Sequence, residues 1–227
     1  MKWTYVVLDL ATIAGPLFLS FDKKVAFYKK YKSLFPSIAI VSFAYLLWDI
    51  WFTTVGIWKF NPPYLLGTYF AQLPIEEYGF FLVVPYALLF IYECLKIYFP
   101  KYNFIPQIGY YVVMLICVIA LITFHDRLYT TVTFLLLLAT LVILRIFYFK
   151  QSLKHSAHVF LTFLISLIPM GIVNGILTSK PVLIYNNLEN SAIRIGTIPL
   201  EDFFYNFLYI IWVVCIYEWL EYKKATK

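Results

Sequence analysis

The sequence predicts an all-α polytopic membrane protein of about seven transmembrane helices, built as two parallel three-helix repeats joined by a linking helix. Three observations carry this reading. The 227 residues are 63% hydrophobic and only 13% charged, with mean hydropathy +0.80, whereas soluble domains carry about 25% charged residues. Apolar runs long enough to cross the roughly 30 Å hydrocarbon core recur from end to end. A short acidic phrase also occurs twice, as Leu73-Pro74-Ile75-Glu76-Glu77 and, 125 residues later, as Ile198-Pro199-Leu200-Glu201-Asp202.

The apolar runs fall at about 3–21, 36–57, 74–97, 105–124, 129–149, 157–178 and 198–220. None alternates with the period of two that a barrel strand of about ten residues requires. The first run is read as a mature span and not as a signal peptide, because Asp9 lies within it and a basic loop follows where a cleavage site would stand. Seven spans place thirteen basic residues on the side of the chain's end: Lys23, Lys24, Lys29, Lys30, Lys32, Lys96, Lys101, Arg145, Lys150, Lys154, Lys223, Lys224 and Lys227. Five lie opposite: Lys2, Lys59, Arg127, Lys180 and Arg194. The positive-inside rule then puts the N-terminus outside and the C-terminus in the cytoplasm, in the cell (inner) membrane. The net charge of +6 is a topology signal of short loops and not a nucleic-acid footprint.

A shift of 125 residues superposes Pro74 on Pro199, Glu76 on Glu201 and Glu77 on Asp202. It also superposes Tyr92-Glu93 on Tyr217-Glu218, Asn61 on Asn186, Phe60 on Tyr185, Asp49 on Asn174 and Lys29 on Lys154. This divides the chain into a first repeat (1–100), a linking span (101–127) and a second repeat (128–227). A single linking span gives both repeats the same orientation, unlike the inverted repeats of many transporters. Both acidic phrases therefore lie at one membrane level, where Asp9, Asp49 and Asn174 join them. Carboxylates inside a span are costly and by default mark function.

In each phrase proline is expected at the first helical position with acids in the first turn, which a helix N-terminus favours. Adjacent helical residues point about 100° apart, so one acid of each pair can face a cavity while the other accepts hydrogen bonds elsewhere. A carboxylic acid that keeps its proton in a dry site can serve as a general acid. Trp48, Trp51, Trp58, Tyr78, Phe80, Phe203, Phe204 and Tyr205 flank the acids and are candidates to line a substrate cavity and stabilise a cation. Glu93 and Glu218 are expected to pair with Lys96 and Lys223 at the basic boundary. Cys94, Cys117 and Cys215 read as small buried hydrophobes. His125, His155 and His158 share no ligand spacing. Glycine-rich nucleotide motifs are absent from the sequence, as are an aspartate-rich diphosphate site and a lysine positioned within the last span for a retinal Schiff base.

Trp48-Asp49, Gly56-Ile57-Trp58 and Leu73-Pro74-Ile75-Glu76-Glu77-Tyr78 resemble the first half of the carotenoid cyclases of the heterodimeric lycopene cyclase type. Asn174-Gly175-Ile176-Leu177-Thr178-Ser179-Lys180-Pro181 with Arg194-Ile195-Gly196-Thr197-Ile198-Pro199-Leu200-Glu201-Asp202-Phe203 resembles the second half. The chain is similar to the fused, two-repeat form. The resemblance implies a redox-neutral, cofactor-free cyclisation of lycopene to β-carotene through γ-carotene. One acid protonates the terminal double bond, the cation closes a six-membered ring, and a base removes a proton. Glu76 and Glu201 are expected as acid and base, supported by Glu77 and Asp202, with Asp49, Asn174 and Asp9 orienting them. Expected partners are membrane lipid and a long apolar carotenoid, with a homo-oligomer or a complex of carotenoid enzymes open; no nucleic acid or metal is expected. The competing readings are a carotenoid hydratase using the same protonation and a non-enzymatic carotenoid-binding or proton-coupled transport protein.

Overall fold

The computed structural model describes residues 2–100, 107–147 and 149–226. Lys101 and Lys227 lie outside the described residues, as do the side chains of Lys150, Lys154 and His155. Seven α-helices run through the described chain: α1 (Thr4–Leu19), α2 (Tyr31–Val55), α3 (Ile75–Tyr98), α4 (Gln107–Thr123), α5 (Leu128–Phe147), α6 (Phe149–Ser179) and α7 (Leu200–Ala225). Five contain windows long and apolar enough to cross a membrane, while α1 and α4 are apolar but shorter. The protein is an all-α membrane protein with two repeats. Helices α2 and α6 start several residues before the apolar runs that announced them. Their first turns carry polar and basic residues, which a helix end tolerates at a membrane boundary.

The connections at the acidic end reproduce one another residue by residue. Strand β1 (Trp58–Phe60) pairs with β4 (Leu183–Tyr185), β2 (Tyr69–Phe70) with β3 (Leu73–Pro74), and β5 (Arg194–Ile195) with β6 (Ile198–Pro199). Lys59 lies opposite Ile184, the residue 125 positions later, so the β1–β4 ribbon joins the repeats across a local two-fold relation. Flanking bonds follow the same rule, for Asn61 N donates to Val182 O and Asn186 N to Ile57 O, at 2.9 and 2.8 Å. Pro74 and Pro199 stand one residue earlier than expected, at the N-cap, in extended conformation. There each closes a two-residue hairpin strand, a position where proline's missing N–H is harmless.

Helix packing repeats too: α1 lies on α3 as α5 lies on α7, and α2 on α7 as α6 on α3. Helix α4 packs against α5. At the basic end, Tyr92 OH donates to Glu218 Oε1 and Tyr217 OH to Glu93 Oε1, at 2.9 and 3.0 Å. Each tyrosine thus reaches into the other repeat. Lys96 Nζ bridges both carboxylates, at 2.8 Å to Glu93 and 2.6 Å to Glu218. Lys223 does not join them; its ammonium sits over the Trp219 ring. Cys94, Cys117 and Cys215 are free thiols, and only Cys117 is fully buried, since Cys215 faces outward from α7.

This cross-repeat clamp makes a stability prediction. Lys96→Met leaves two carboxylates facing each other without their shared cation, which costs about 3 kcal/mol. Thermal unfolding in detergent should show a clear drop in midpoint, and an unchanged midpoint would remove the clamp's energetic role.

Candidate active site

Helices α1, α3, α6 and α7 enclose a cavity of about 420 Å³, roofed at the acidic end by the β1–β4 ribbon and by Tyr129 at the start of α5. Its walls are apolar and aromatic, including Tyr5, Phe80, Phe81, Tyr205 and Tyr209. Polar groups collect beneath the roof, where Asp49, Glu77, Asn174 and Asp202 all line the space. Ala11 and Ile172 also line it and are exposed, so the cavity reaches the outer surface of the bundle between α1 and α6.

The helical phase explains the lining. Counting 100° per residue from Glu77, positions 80, 81, 84, 88 and 91 return to the same face, and Phe80, Phe81, Val84, Leu88 and Ile91 all border the cavity. From Asp202 the same count selects Tyr205, Asn206 and Tyr209. The second acid of each phrase therefore shares the cavity face, and the first is turned away.

Glu76 and Glu201 serve the loops. Leu66 N donates to Glu76 Oε1 at 2.7 Å, and Ser191 N, its equivalent in the second repeat, donates to Glu201 Oε1 at 2.6 Å. Thr130 Oγ1 adds a second bond to Glu201 Oε1. Neither Glu76 nor Glu201 borders the cavity. Asp9 is buried outside it as well, packed against α3 where Gly79 has no side chain. A Cβ there would come within 3.2 Å of Asp9 Oδ2.

The two cavity-facing acids have different company. Asp202 accepts three hydrogen bonds, from Tyr129 OH at 2.7 Å, Tyr185 OH at 2.8 Å and Asn174 Nδ2 at 3.2 Å. Glu77 Oε2 accepts one from Tyr5 OH at 2.5 Å, and Glu77 and Asp49 border the same space. Asp49 Oδ1 is held by Trp58 Nε1 at 2.6 Å, and Oδ2 meets no donor among the described residues. An amide such as Asn174 donates unconditionally, whereas two carboxyls bond only when one proton is present between them. The first repeat thus brings two carboxyls to the cavity where the second brings a carboxyl and an amide.

Several expected residues lie elsewhere. Trp48 is buried among Tyr45, Phe52 and Tyr205, and Trp51 is exposed against Phe52. Tyr78 braces the β2–β3 hairpin through Phe70 O at 3.0 Å. Phe204 packs on Phe134, and Phe203 does not line the cavity. Among the expected aromatics, Trp58, Phe80 and Tyr205 do border it.

Tyr5, Tyr129, Tyr185 and Thr130 were not foreseen. Tyr5 and Tyr129 play the same part in the two repeats, yet they are 124 residues apart and not 125, so the uniform shift misaligns them. A family model described as lycopene cyclase matches residues 2–95 and again residues 126–220, starting its second copy at that same 124-residue offset.

The chain belongs to the lycopene cyclase family. Both acidic phrases, the β1–β4 roof and every carboxylate of the cavity fall inside the matched segments. A lycopene cyclase of this kind is an enzyme of carotenoid cyclisation, and an apolar membrane cavity suits its substrate. No curated protein and no solved structure matches the chain.

Proposed function

We propose that this lycopene cyclase closes β-ionone rings at the ends of lycopene by acid–base chemistry alone, giving β-carotene through γ-carotene. The observation that carries the reading is the single cavity in which Glu77, Asp49 and Asp202 meet beneath aromatic walls. Glu77, sharing a proton with Asp49, protonates the terminal double bond. The tertiary cation is attacked by the neighbouring double bond, which closes the ring. Asp202 then removes a proton and leaves the ring alkene. Its three donors satisfy an acceptor-only, ionised carboxylate, the form a base needs. The faces of Phe80, Phe81 and Tyr205 stabilise the cation in transit, and the dry walls exclude the water that would trap it as an alcohol. No hydride moves, so the reaction has no formal need of a redox cofactor.

Substrate length supports one end at a time. The cavity follows α3 from Glu77 to Ile91, about 21 Å at 1.5 Å per residue. Lycopene is about as long as the roughly 30 Å hydrocarbon core is thick. One end fills the site while the remainder leaves between α1 and α6 into lipid. The acidic end faces outside and the basic end the cytoplasm, following the lysine distribution.

Expression in a lycopene-accumulating host tests the function. Bicyclic β-carotene should accumulate after a transient monocyclic γ-carotene. Hydroxylated ends would make the protein a hydratase, and unchanged lycopene would remove catalysis altogether.

A further inference from the structure

Each ring closure leaves the site in the wrong protonation state. The acid pair has lost its proton and Asp202 has gained one, so the next turnover requires a transfer from one repeat to the other. The cavity roof holds a hydroxyl that touches Asp202 and shares the cavity with the acid pair. Tyr185 OH contacts Asp202 Oδ2 at 2.8 Å. Directly across the β1–β4 ribbon from Tyr185 stands Trp58, whose ring lies 5.9 Å away and whose Nε1 holds Asp49. Tyr185 lines the same cavity as Asp49, Glu77 and Asp202, and stacking on Tyr129 at 6.0 Å fixes its ring. Its counterpart in the first repeat is Phe60, which has no hydroxyl.

We propose that Tyr185 returns the proton from Asp202 to the Glu77–Asp49 pair after each ring closure. This inference rests on the acid and base roles proposed above. Protonated Asp202 gives its proton to the phenol oxygen as the phenol O–H proton passes to the carboxylate of the acid pair. Asp202 is again ionised, the acid pair is again protonated, and Tyr185 ends as it began. Burial, followed by the Asp202 charge, pushes the Tyr185 phenol well above its ordinary value, and the charges of Glu77 and Asp49 add to this. The phenol therefore relays as a neutral group and never needs to persist as phenolate.

Internal return has an isotopic signature. In D₂O the proton taken from one substrate end is reused on the next, so the ring carbon that receives it holds less than a full deuterium. Tyr185→Phe must recharge the acid from solvent. Membranes carrying this variant should slow on the first turnover only as far as Tyr129→Phe does, through the lost bond to Asp202, and on later turnovers by about 10-fold more. Their product should carry a full deuterium at that ring carbon. Tyr129→Phe also removes a hydrogen bond to Asp202, and it should slow catalysis while leaving the wild-type deuterium content. Equal slowing of first and later rings in Tyr185→Phe would overturn the relay, as would the same deuterium content in that variant and wild type. If wild type itself forms no rings, the cyclase reading fails with it, and the two failures are told apart by the wild-type product.

Discussion

Glu77→Gln should lower ring formation by about 10²–10⁴-fold, the range a positioned general acid supplies, while the protein still accumulates in the membrane. Glutamine keeps the acceptor that Tyr5 OH needs and can donate to Asp49, so the packing around the first acid survives. What it cannot do is release a proton to a double bond. The Glu76→Gln substitution, one residue away, should behave differently. The Glu76 side chain holds Leu66 N in the loop before β2, and an amide oxygen can accept that bond. Its effect should therefore fall on stability, with activity retained per folded molecule.

Asp202→Asn should cause a loss of the same order for the opposite reason. The substituted amide keeps a single acceptor, so it accepts from Tyr129 or from Tyr185 but not from both, and it cannot take a proton from the ring cation. Protonation and closure would proceed to a cation with no base beside it, which reverts or is captured by other routes. Trace products from Asp202→Asn should accordingly differ from those of Glu77→Gln, which stalls before any cation forms. Pigment analysis of the two strains, normalised to protein in the membrane, checks both effects. A ring yield in either strain close to wild type would contradict the assigned role.

Much of this architecture was legible in the chain because a membrane imposes strong patterns. Spans must be apolar for their full length, so α3, α5, α6 and α7 show up as hydropathy alone. Duplication shows up in Pro74 and Pro199 with their paired acids, since such phrases have no reason to recur by packing. The β1–β4 ribbon escaped notice because strands of three residues leave too short a pattern to read. Tyr5 and Tyr129 escaped because a one-residue slip separates the offsets of the first and third helices of each repeat.

The choice between neighbouring acids was a matter of helical phase that only the neighbours decide. Residues 76 and 77 are equally close to the helix start, and their sequence surroundings are both apolar. A helical wheel drawn from Glu77 collects Phe80, Phe81, Val84 and Leu88, and all of these border the cavity. The same wheel explains why Trp51 fails as a lining residue. It stands two positions from Asp49, about 200° around α2, and so faces outward where Asp49 faces in. Tyr205, three positions beyond Asp202, returns to the cavity face while Phe203 and Phe204 do not.

The repeats are alike in their loops, hairpins and tyrosine donors, and they differ where chemistry needs a difference. Asp49 in the first repeat becomes Asn174 in the second, so one half holds two carboxyls and the other a carboxylate with an amide. On the proposed chemistry, that difference divides a duplicated unit into an acid half and a base half around one substrate end.

The most direct measurement compares Glu76→Gln, Glu77→Gln, Glu201→Gln and Asp202→Asn in one lycopene-accumulating strain, scoring rings formed per membrane-inserted protein. A single acid–base site split between the repeats predicts that Glu77→Gln and Asp202→Asn lose ring formation while Glu76→Gln and Glu201→Gln keep it. Retained activity at 77 and 202, with loss at 76 and 201, would contradict it.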